Sequence, residues 1–241
     1  MGWYAPGVSF PRPTGGPARQ PARQRIEAGG RVEAGGFVLT GGHSRRMGSD
    51  KALLKLGGQP LVLRTVERLR PVVAEVVLVG APERYGHLGL PVLADREANR
   101  GPLAGLVTAL AATEHDWNLV LACDLPYLET RFLEFLLEQA EAENADAVVP
   151  HTQGRWQPLC AAYHRRCLPA FERILNEGSS KVALAFEQMR VRALTLEELQ
   201  RFAFEERILK NMNTPEDYAE AQRLLGGQAR LPQVRGGQAG V

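Results

Sequence analysis

The sequence is poor in cysteine, in metal-ligand spacings and in long apolar runs, and each shortage removes a class of protein. Its three cysteines, Cys123, Cys160 and Cys167, are odd in number and form no Cys-x-x-Cys pair. Neither a disulfide framework nor a zinc site is supported, and a reducing compartment is the simple reading. Cys123 lies in an apolar run and reads as a small core residue. The histidines His43, His87, His115, His151 and His164 show no metal-ligand spacing and read as solvated loop residues. No stretch approaches transmembrane length, and the amino terminus lacks the continuous apolar segment of a signal peptide. No internal repeat, nucleophile triad or acid–base dyad stands out.

An excess of positive charge is missing too, once the ends are set apart. The net charge is +2. Before Gly36, Arg12, Arg19, Arg23, Arg25 and Arg31 face only Glu27 and Glu33; after Leu225 come Arg230 and Arg235 with no acid. The ends carry +3 and +2, which leaves the central part near −3 and excludes a basic nucleic-acid-binding domain. Residues 1–34 are rich in Pro, Gly, Ala, Arg and Gln without a hydrophobic period, and cannot offset the entropy of ordering by burial. They read as a disordered amino-terminal extension, and residues 226–241 as a disordered carboxy-terminal tail. Residues 35–225, in a chain 44% hydrophobic, suffice for one domain around one core.

What is present is an alternation of apolar strands and amphipathic helices. Phe37-Val38-Leu39, Glu75–Gly80, Pro91–Asp95 and Asn118–Cys123 read as strands, the last nearly continuous in apolar character, as a central parallel strand is. After Pro60, which suits a first helical turn, Leu63, Val66 and Leu69 share a face. Leu103, Leu106, Val107, Leu110 and Ala111 follow the helical period, as do Phe132, Leu133, Leu136, Leu137 and Ala140. In the second half Asp146–Pro150, Pro158–Tyr163 and Arg190–Leu194 read as strands, and 167–176 and 180–188 as helices. Thr214-Pro215-Glu216-Asp217 starts a last helix, with Tyr218, Ala221 and Leu225 toward the core. This pattern predicts an α/β fold: a Rossmann-like doubly wound, mostly parallel sheet with helices on both faces. Its ligands should lie beyond the carboxyl ends of the strands.

The stretch Gly36–Lys51 stands at that edge. Gly41, Gly42 and Gly48 enclose Ser44, Arg45 and Arg46, with Lys51 just beyond. Glycines let a ligand approach the main chain, and a row of backbone N–H groups makes an anion-binding concavity. The stretch reads as a cradle for a polyphosphate. Neither the P-loop spacing nor the Gly-x-Gly-x-x-Gly pattern is present. The ordered series Leu39-Thr40-Gly41-Gly42-x-Ser44-x-Arg46-Met47-Gly48-x-Asp50-Lys51 resembles the signature of the molybdenum cofactor guanylyltransferases, members of the wider α/β nucleotidyltransferases. Thr40 stands where that family usually has Ala, at a position that mainly offers backbone. Cys123-Asp124-Leu125-Pro126 resembles the family's metal-binding Cys-Asp-x-Pro. Asp95 with Gly101-Pro102-Leu103-Ala104-Gly105, and Asn211-Met212-Asn213-Thr214-Pro215, resemble two further family motifs.

These residues have definable tasks. Nucleotidyl transfer develops charge on phosphate oxygens, which an ammonium at Lys51 stabilises. Arg46 suits the leaving pyrophosphate through bidentate contacts. Asp124 facing a triphosphate needs a cation between them, and a hard divalent ion, Mg²⁺ above all, fits one carboxylate plus substrate phosphates. Lys51, Arg46 and Asp124 are therefore the expected catalytic residues, with Asp124 the metal ligand. Leu39, Thr40, Gly41, Gly42, Lys51, Asp95 and Asp124 form the expected nucleotide site. Asp95 either accepts N–H bonds from the edge of a guanine or holds a ribose hydroxyl. Asn211 and Asn213 either cap a strand end or bring an amide to the metal or the acceptor phosphate. Arg155, before a strand, and Lys181, where Gly178-Ser179-Ser180 open a helix, are expected to guide an anionic acceptor.

The resemblance implies a cytoplasmic enzyme that transfers GMP from GTP to molybdopterin, with Mg²⁺, releasing pyrophosphate. The guanine dinucleotide product would pass to molybdoenzymes or their chaperones, with no nucleic acid or membrane partner. The missing acid–base dyad fits, because a phosphate monoester with a second pKa of about 6 is already a competent nucleophile at neutral pH. A CTP-dependent relative is the first alternative, although those enzymes read Leu-Ala-Ala-Gly where this chain has Leu39-Thr40-Gly41-Gly42. A sugar-1-phosphate or other small-molecule nucleotidyltransferase is next. A nucleotide-binding module without turnover is a different class, opposed by intact Lys51 and Asp124.

Overall fold

In the computed structural model, which describes residues 33–40, 50–95, 100–142 and 144–225, the first strand sets the frame. β1 (Ala34–Leu39) is buried at every residue. It begins within the stretch assigned to the extension: Ala34 is fully buried, and its carbonyl accepts from Ala74 N at 2.9 Å. Residues 1–32 and 226–241, and the candidate site residues Gly41, Gly42 and Arg46, lie outside the described residues.

A small hairpin follows, β2 (Lys55–Leu56) and β3 (Gln59–Pro60), turning on Gly57 and Gly58 at φ of 61° and 84°. The chain then alternates through α1 (Leu61–Leu69), β4 (Glu75–Val79), α2 (Pro82–Tyr85), β5 (Val92–Leu93), α3 (Pro102–Ala112), β6 (Trp117–Ala122) and α4 (Thr130–Ala142). β7 (Ala147–Thr152), β8 (Arg155–Trp156) and β9 (Cys160–His164) come next, then α5 (Leu168–Asn176) and a 3-10 segment Val182–Gln188. β10 (Val191–Thr195), α6 (Leu196–Arg201) and α7 (Pro215–Leu225) complete the domain.

The sheet has eight strands in the order β10–β7–β9–β6–β1–β4–β5, with β8 beside β7. All run the same way except β8 and β9, which oppose their neighbours. Their reversal follows from short connections. Gln153 and Gly154, at φ of 49° and 70°, turn β7 back on itself, leaving no room for a crossover helix. α3 and α5 pack on one face, where Phe37, Leu39, Val77, Val79, Val120, Val149 and Tyr163 belong to one core cluster. α1 and α4 cover the other face. The α/β fold with its mostly parallel sheet is as expected.

Several local expectations change. The inward face of α1 is Leu61, Val62, Thr65, Val66 and Leu69, and Leu63 is only half-buried. Thr65 is accepted inside because its hydroxyl donates to Leu61 O at 3.2 Å. α3 is buried on nearly all sides, because Gly105 lets it lie so close to the sheet that a Cβ there would meet Leu39 Cδ2 at 2.7 Å. The helix expected over 180–188 is a seven-residue 3-10 segment. α6 was not expected, although Thr195 and Glu198 form a capping box at its start. Three histidines are not solvated loop residues: His164 meets Trp117 edge-on at 5.3 Å, His151 packs on Trp156 at 4.4 Å, and the His115 side chain, 12% exposed, lies 3.6 Å from Glu75 Oε1.

Away from the carboxyl edge, one carboxylate ties three strands. Asp146, just before β7, accepts at Oδ2 from Arg190 N at 2.8 Å and at Oδ1 from Arg190 Nη2 at 3.2 Å, and also from Arg166 Nε. Its backbone joins Arg190 O at 2.7 Å and His164 N at 2.8 Å. Burial works against ionisation of Asp146, but the Arg190 and Arg166 bonds outweigh it and hold the carboxyl at about 2 rather than 3.8. The folded-state value lies below the unfolded one, so this stabilisation is full above about pH 4 and is lost as pH falls toward 2. Asp146→Asn should lower stability at pH 7 by about 2 kcal/mol in urea unfolding. The gap between variant and parent should close as pH falls from 4 to 2; a gap independent of pH in that range would contradict the assignment.

Candidate active site

The strand register brings four carboxyl ends level: Leu39 pairs with both Val79 and Ala122, and Val79 pairs with Leu93. From β1 the chain builds outward through β4 and β5, then returns to place β6 on the other side of β1. The order reverses between β1 and β6, which is where an open α/β sheet offers its ligand crevice.

Lys51 and Asp124 meet there. Asp50 caps the short 3-10 turn Lys51–Leu53, its carboxylate accepting from Ala52 N at 3.1 Å. From that turn Lys51 Nζ donates to Asp124 Oδ2 at 2.6 Å and to Asn213 Oδ1 at 2.9 Å. The two charged side chains are only 15% and 18% exposed, so their attraction is screened less than that of a surface pair. Asn213 comes from near the other end of the chain, and its delivery has a mechanical cause. Met212 is 1% exposed in a small cluster with Leu56, Leu61 and Ala221, and its N–H donates to Asp124 O at 2.9 Å. The apolar plug fixes its polar neighbour. Thr214 then caps α7 as expected, accepting from Asp217 N at 3.2 Å while Asp217 Oδ2 accepts from Thr214 N at 3.0 Å.

Asp124 has an oxygen to spare. Its Oδ1 is buried and has no hydrogen-bond partner among the described residues. A buried carboxylate oxygen left in this state is costly, and a cation removes the cost. One carboxylate and one amide oxygen form a hard donor set, suited to a divalent ion that completes its shell with phosphate and water. Among the described residues no group of three or more His, Cys, Asp or Glu side chains assembles.

The other expected site residues divide. Leu39 is 6% exposed and packs under α3. Thr40 directs both its amide and its hydroxyl to Val79 O, at 2.9 and 3.0 Å, so it fixes the point where the chain leaves the sheet. Asp95 lies two residues past β5, half-buried, with Thr108 Oγ1 donating to its Oδ1 at 3.4 Å. Asn211 is exposed. Arg155 is exposed on β8, and Lys181 is exposed ahead of the 3-10 segment; Trp156 and Phe186, at 5.0 Å, pack those two elements together. A 3-10 segment this short supplies no helix dipole, so the anion site expected at Lys181 is not formed that way. Ser180 instead abuts Gly101, where a Cβ would lie 3.0 Å from that of Ser180.

One residue was not anticipated. The Tyr85 hydroxyl lies 2.9 Å from Asp50 Oδ2 and 3.2 Å from Thr40 O. Burial and the bond to Asp50 raise its pKa far above the ordinary value, so it stays a neutral phenol. Nothing in Pro82-Glu83-Arg84-Tyr85 marks it in the sequence. Cys123, beside Asp124, is pushed up to about 12 by burial and offers no thiolate.

Comparison with known proteins agrees with this geometry. The MobA-like NTP transferase domain matches residues 36–195. The chain belongs to the MobA-like NTP transferase family. A relative in Carboxydothermus hydrogenoformans, named "Probable molybdenum cofactor guanylyltransferase", is 36% identical over 182 residues, covering 76% of this chain and 91% of the relative. A Nostoc relative of the same name is 38% identical over 185 residues, covering 74% and 86%. Among solved structures, molybdopterin-guanine dinucleotide biosynthesis protein A from Archaeoglobus fulgidus superimposes with a TM-score of 0.70 at 27% identity, covering 78% of this chain and 97% of that one.

For this MobA-like transferase, Gly80 is the residue that lets the edge close. A Cβ there would meet Thr40 Oγ1 at 2.0 Å and Tyr85 Cε2 at 3.0 Å. Gly80→Ala should therefore destabilise the fold by about 1–3 kcal/mol through overpacking, read as a lower urea midpoint. An unchanged midpoint would mean that Thr40 swings away at no cost.

Proposed function

We propose that this nucleotidyltransferase transfers GMP from GTP to molybdopterin, with a divalent ion, Mg²⁺ by its preference for oxygen donors, and releases pyrophosphate. The observation that carries the reading is the convergence of Lys51, Asp124 and Asn213, from three remote parts of the chain, at the switch point of the sheet. The names of its relatives give the acceptor and the base. Working on the soluble GTP pool, the enzyme would act in the cytoplasm.

Asp95 and Asp124 stand at β5 and β6, three strand spacings or about 14 Å apart along one edge. That span suits a nucleotide lying across β4 and β1, base toward Asp95 and triphosphate toward Asp124. Asp124, with the Asn213 amide, would hold the divalent ion, which when bound neutralises phosphate charge. Lys51 exchanges its carboxylate partner for a phosphate oxygen as the triphosphate arrives, and stabilises the charge that develops on it. An acceptor phosphate oxygen forms a bond to the α-phosphorus, and the bond from that phosphorus to the bridging oxygen breaks. The electron pair leaves on pyrophosphate, and no proton need move at the attacking oxygen. Positioning and charge are the whole task. Arg155 and Lys181, on packed elements of the second half, would draw the anionic acceptor.

Pyrophosphate release with molybdopterin and Mg²⁺ should be supported by GTP and not by CTP, ATP or UTP; activity with CTP alone would turn the reading to the cytidylyl enzymes. Asp124→Ala should lower kcat at least about a hundredfold. Its urea midpoint should stay near that of the parent, because the backbone bond to Met212 survives. Near-parent turnover of Asp124→Ala at saturating Mg²⁺ would remove Asp124 from the metal site.

A further inference from the structure

Lys51 can serve a phosphate only if its own backbone is held, and Asp50 and Tyr85 hold the turn that carries it. Thr40 and Asp50 flank residues 41–49, and the Tyr85 hydroxyl reaches both flanks: Thr40 O at 3.2 Å, Asp50 Oδ2 at 2.9 Å and Asp50 Oδ1 at 3.1 Å. A phenol has one proton, and the carboxylate is the stronger acceptor. Asp50 Oδ1 also accepts from Ala52 N at 3.1 Å. Lys51 lies between the residue that accepts and the residue that donates. Tyr85 is itself fixed, 3% exposed on α2 and pressed against Gly80. Arg84 Nη1, at 3.7 Å from Asp50 Oδ2 and 61% exposed, adds little.

We propose that Tyr85 and Asp50 form a positioning pair that sets the place of Lys51 for the triphosphate. This rests on the nucleotidyltransferase reading above. The chain of contacts runs from β4 through Gly80 and Tyr85 to Asp50 and so to the turn that carries Lys51. It gives the ammonium a fixed origin on the β4 side of the sheet. The pair touches no substrate and acts only through Lys51. Displacing a reacting group by about 1 Å costs up to about a hundredfold in rate, so the loss of one bond in this chain should be visible in turnover.

The test uses Tyr85→Phe, which keeps the ring, Asp50→Asn, which keeps the size, and Lys51→Met, alone and combined. Tyr85→Phe and Asp50→Asn should each lower kcat/KM for GTP about tenfold in the parent. In the Lys51→Met background neither should lower it further, because residues that act through a common partner are not additive. Binding of inorganic pyrophosphate with Mg²⁺, measured by calorimetry, should follow the same pattern and depends on neither base nor acceptor. A parent that binds pyrophosphate yet turns over no GTP would sink the guanylyl reading and leave the pair to be judged on this binding. Equal losses in both backgrounds, or a lowered urea midpoint with unchanged kcat/KM and pyrophosphate affinity, would show that Tyr85 and Asp50 only support the fold.

Discussion

β1 is paired on both sides by strands that run its own way, and the site depends on that constraint. Parallel pairing on two sides forces each connection to cross the sheet before returning, so loops gather at one edge. It also demands a strand that is buried on both faces. Ala34–Leu39 meets the demand with small residues in its first half, two of them glycines, and bulky ones in its second: a Cβ at Gly36 would meet Leu69 Cδ2 at 2.8 Å, and one at Gly35 would meet Asn118 Oδ1 at 2.6 Å. Tight packing at the start of the strand fixes its end, and its end fixes Thr40. The precision of the polar edge is inherited from the apolar centre.

The same logic explains how a site gathers residues from positions 40 to 213. Each polar group is the immediate neighbour of a buried apolar one. Asp124 follows Cys123, which is 7% exposed; Asn213 follows Met212; Lys51 precedes Ala52, which is 1% exposed. Hydrophobic burial supplies the free energy, and the functional group is carried by the adjacent peptide unit, with little rotational freedom left to it. Lys51 is the exception, a long flexible side chain, and it receives two acceptors that hold its far end.

How much of this could be read beforehand follows from the range of the interactions. Buried parallel strands are apolar runs, so β1, β4 and β6 were legible, and so was the capped start of α7 at Thr214. The face of α1 was misjudged because Thr65 looks polar until its hydroxyl finds Leu61 O. The reversal of β9 depends on a two-residue turn whose glycine gave only a weak signal. Lys51, Asp124 and Asn213 were named from local motifs, but their meeting is a tertiary fact: Lys51 and Asn213 are 162 residues apart. Tyr85 was silent, since a lone tyrosine after a strand has no pattern, and its role exists only because Gly80 brings Thr40 against it.

The charge distribution carries a last consequence. A strongly shifted carboxyl is often taken as a mark of catalysis, yet the two held at about 2 are Asp146 and Glu198. Asp146 ties the start of β7 to the end of β9 and the start of β10. Glu198 pairs with Arg192 and closes the cap of α6. The first serves the edge where β7 and β10 begin, and the second fastens α6 to the end of β10; both hold the frame. Beside Lys51 and Asp124, burial raises the pKa of Tyr85 and of Cys123 and moves both away from reactivity. This pattern suits a reaction whose nucleophile arrives already ionised. Such an enzyme needs cations in fixed places and neighbours that neither give nor take a proton. Tuning of acidity is therefore spent on holding the frame, and the reacting edge is left to geometry.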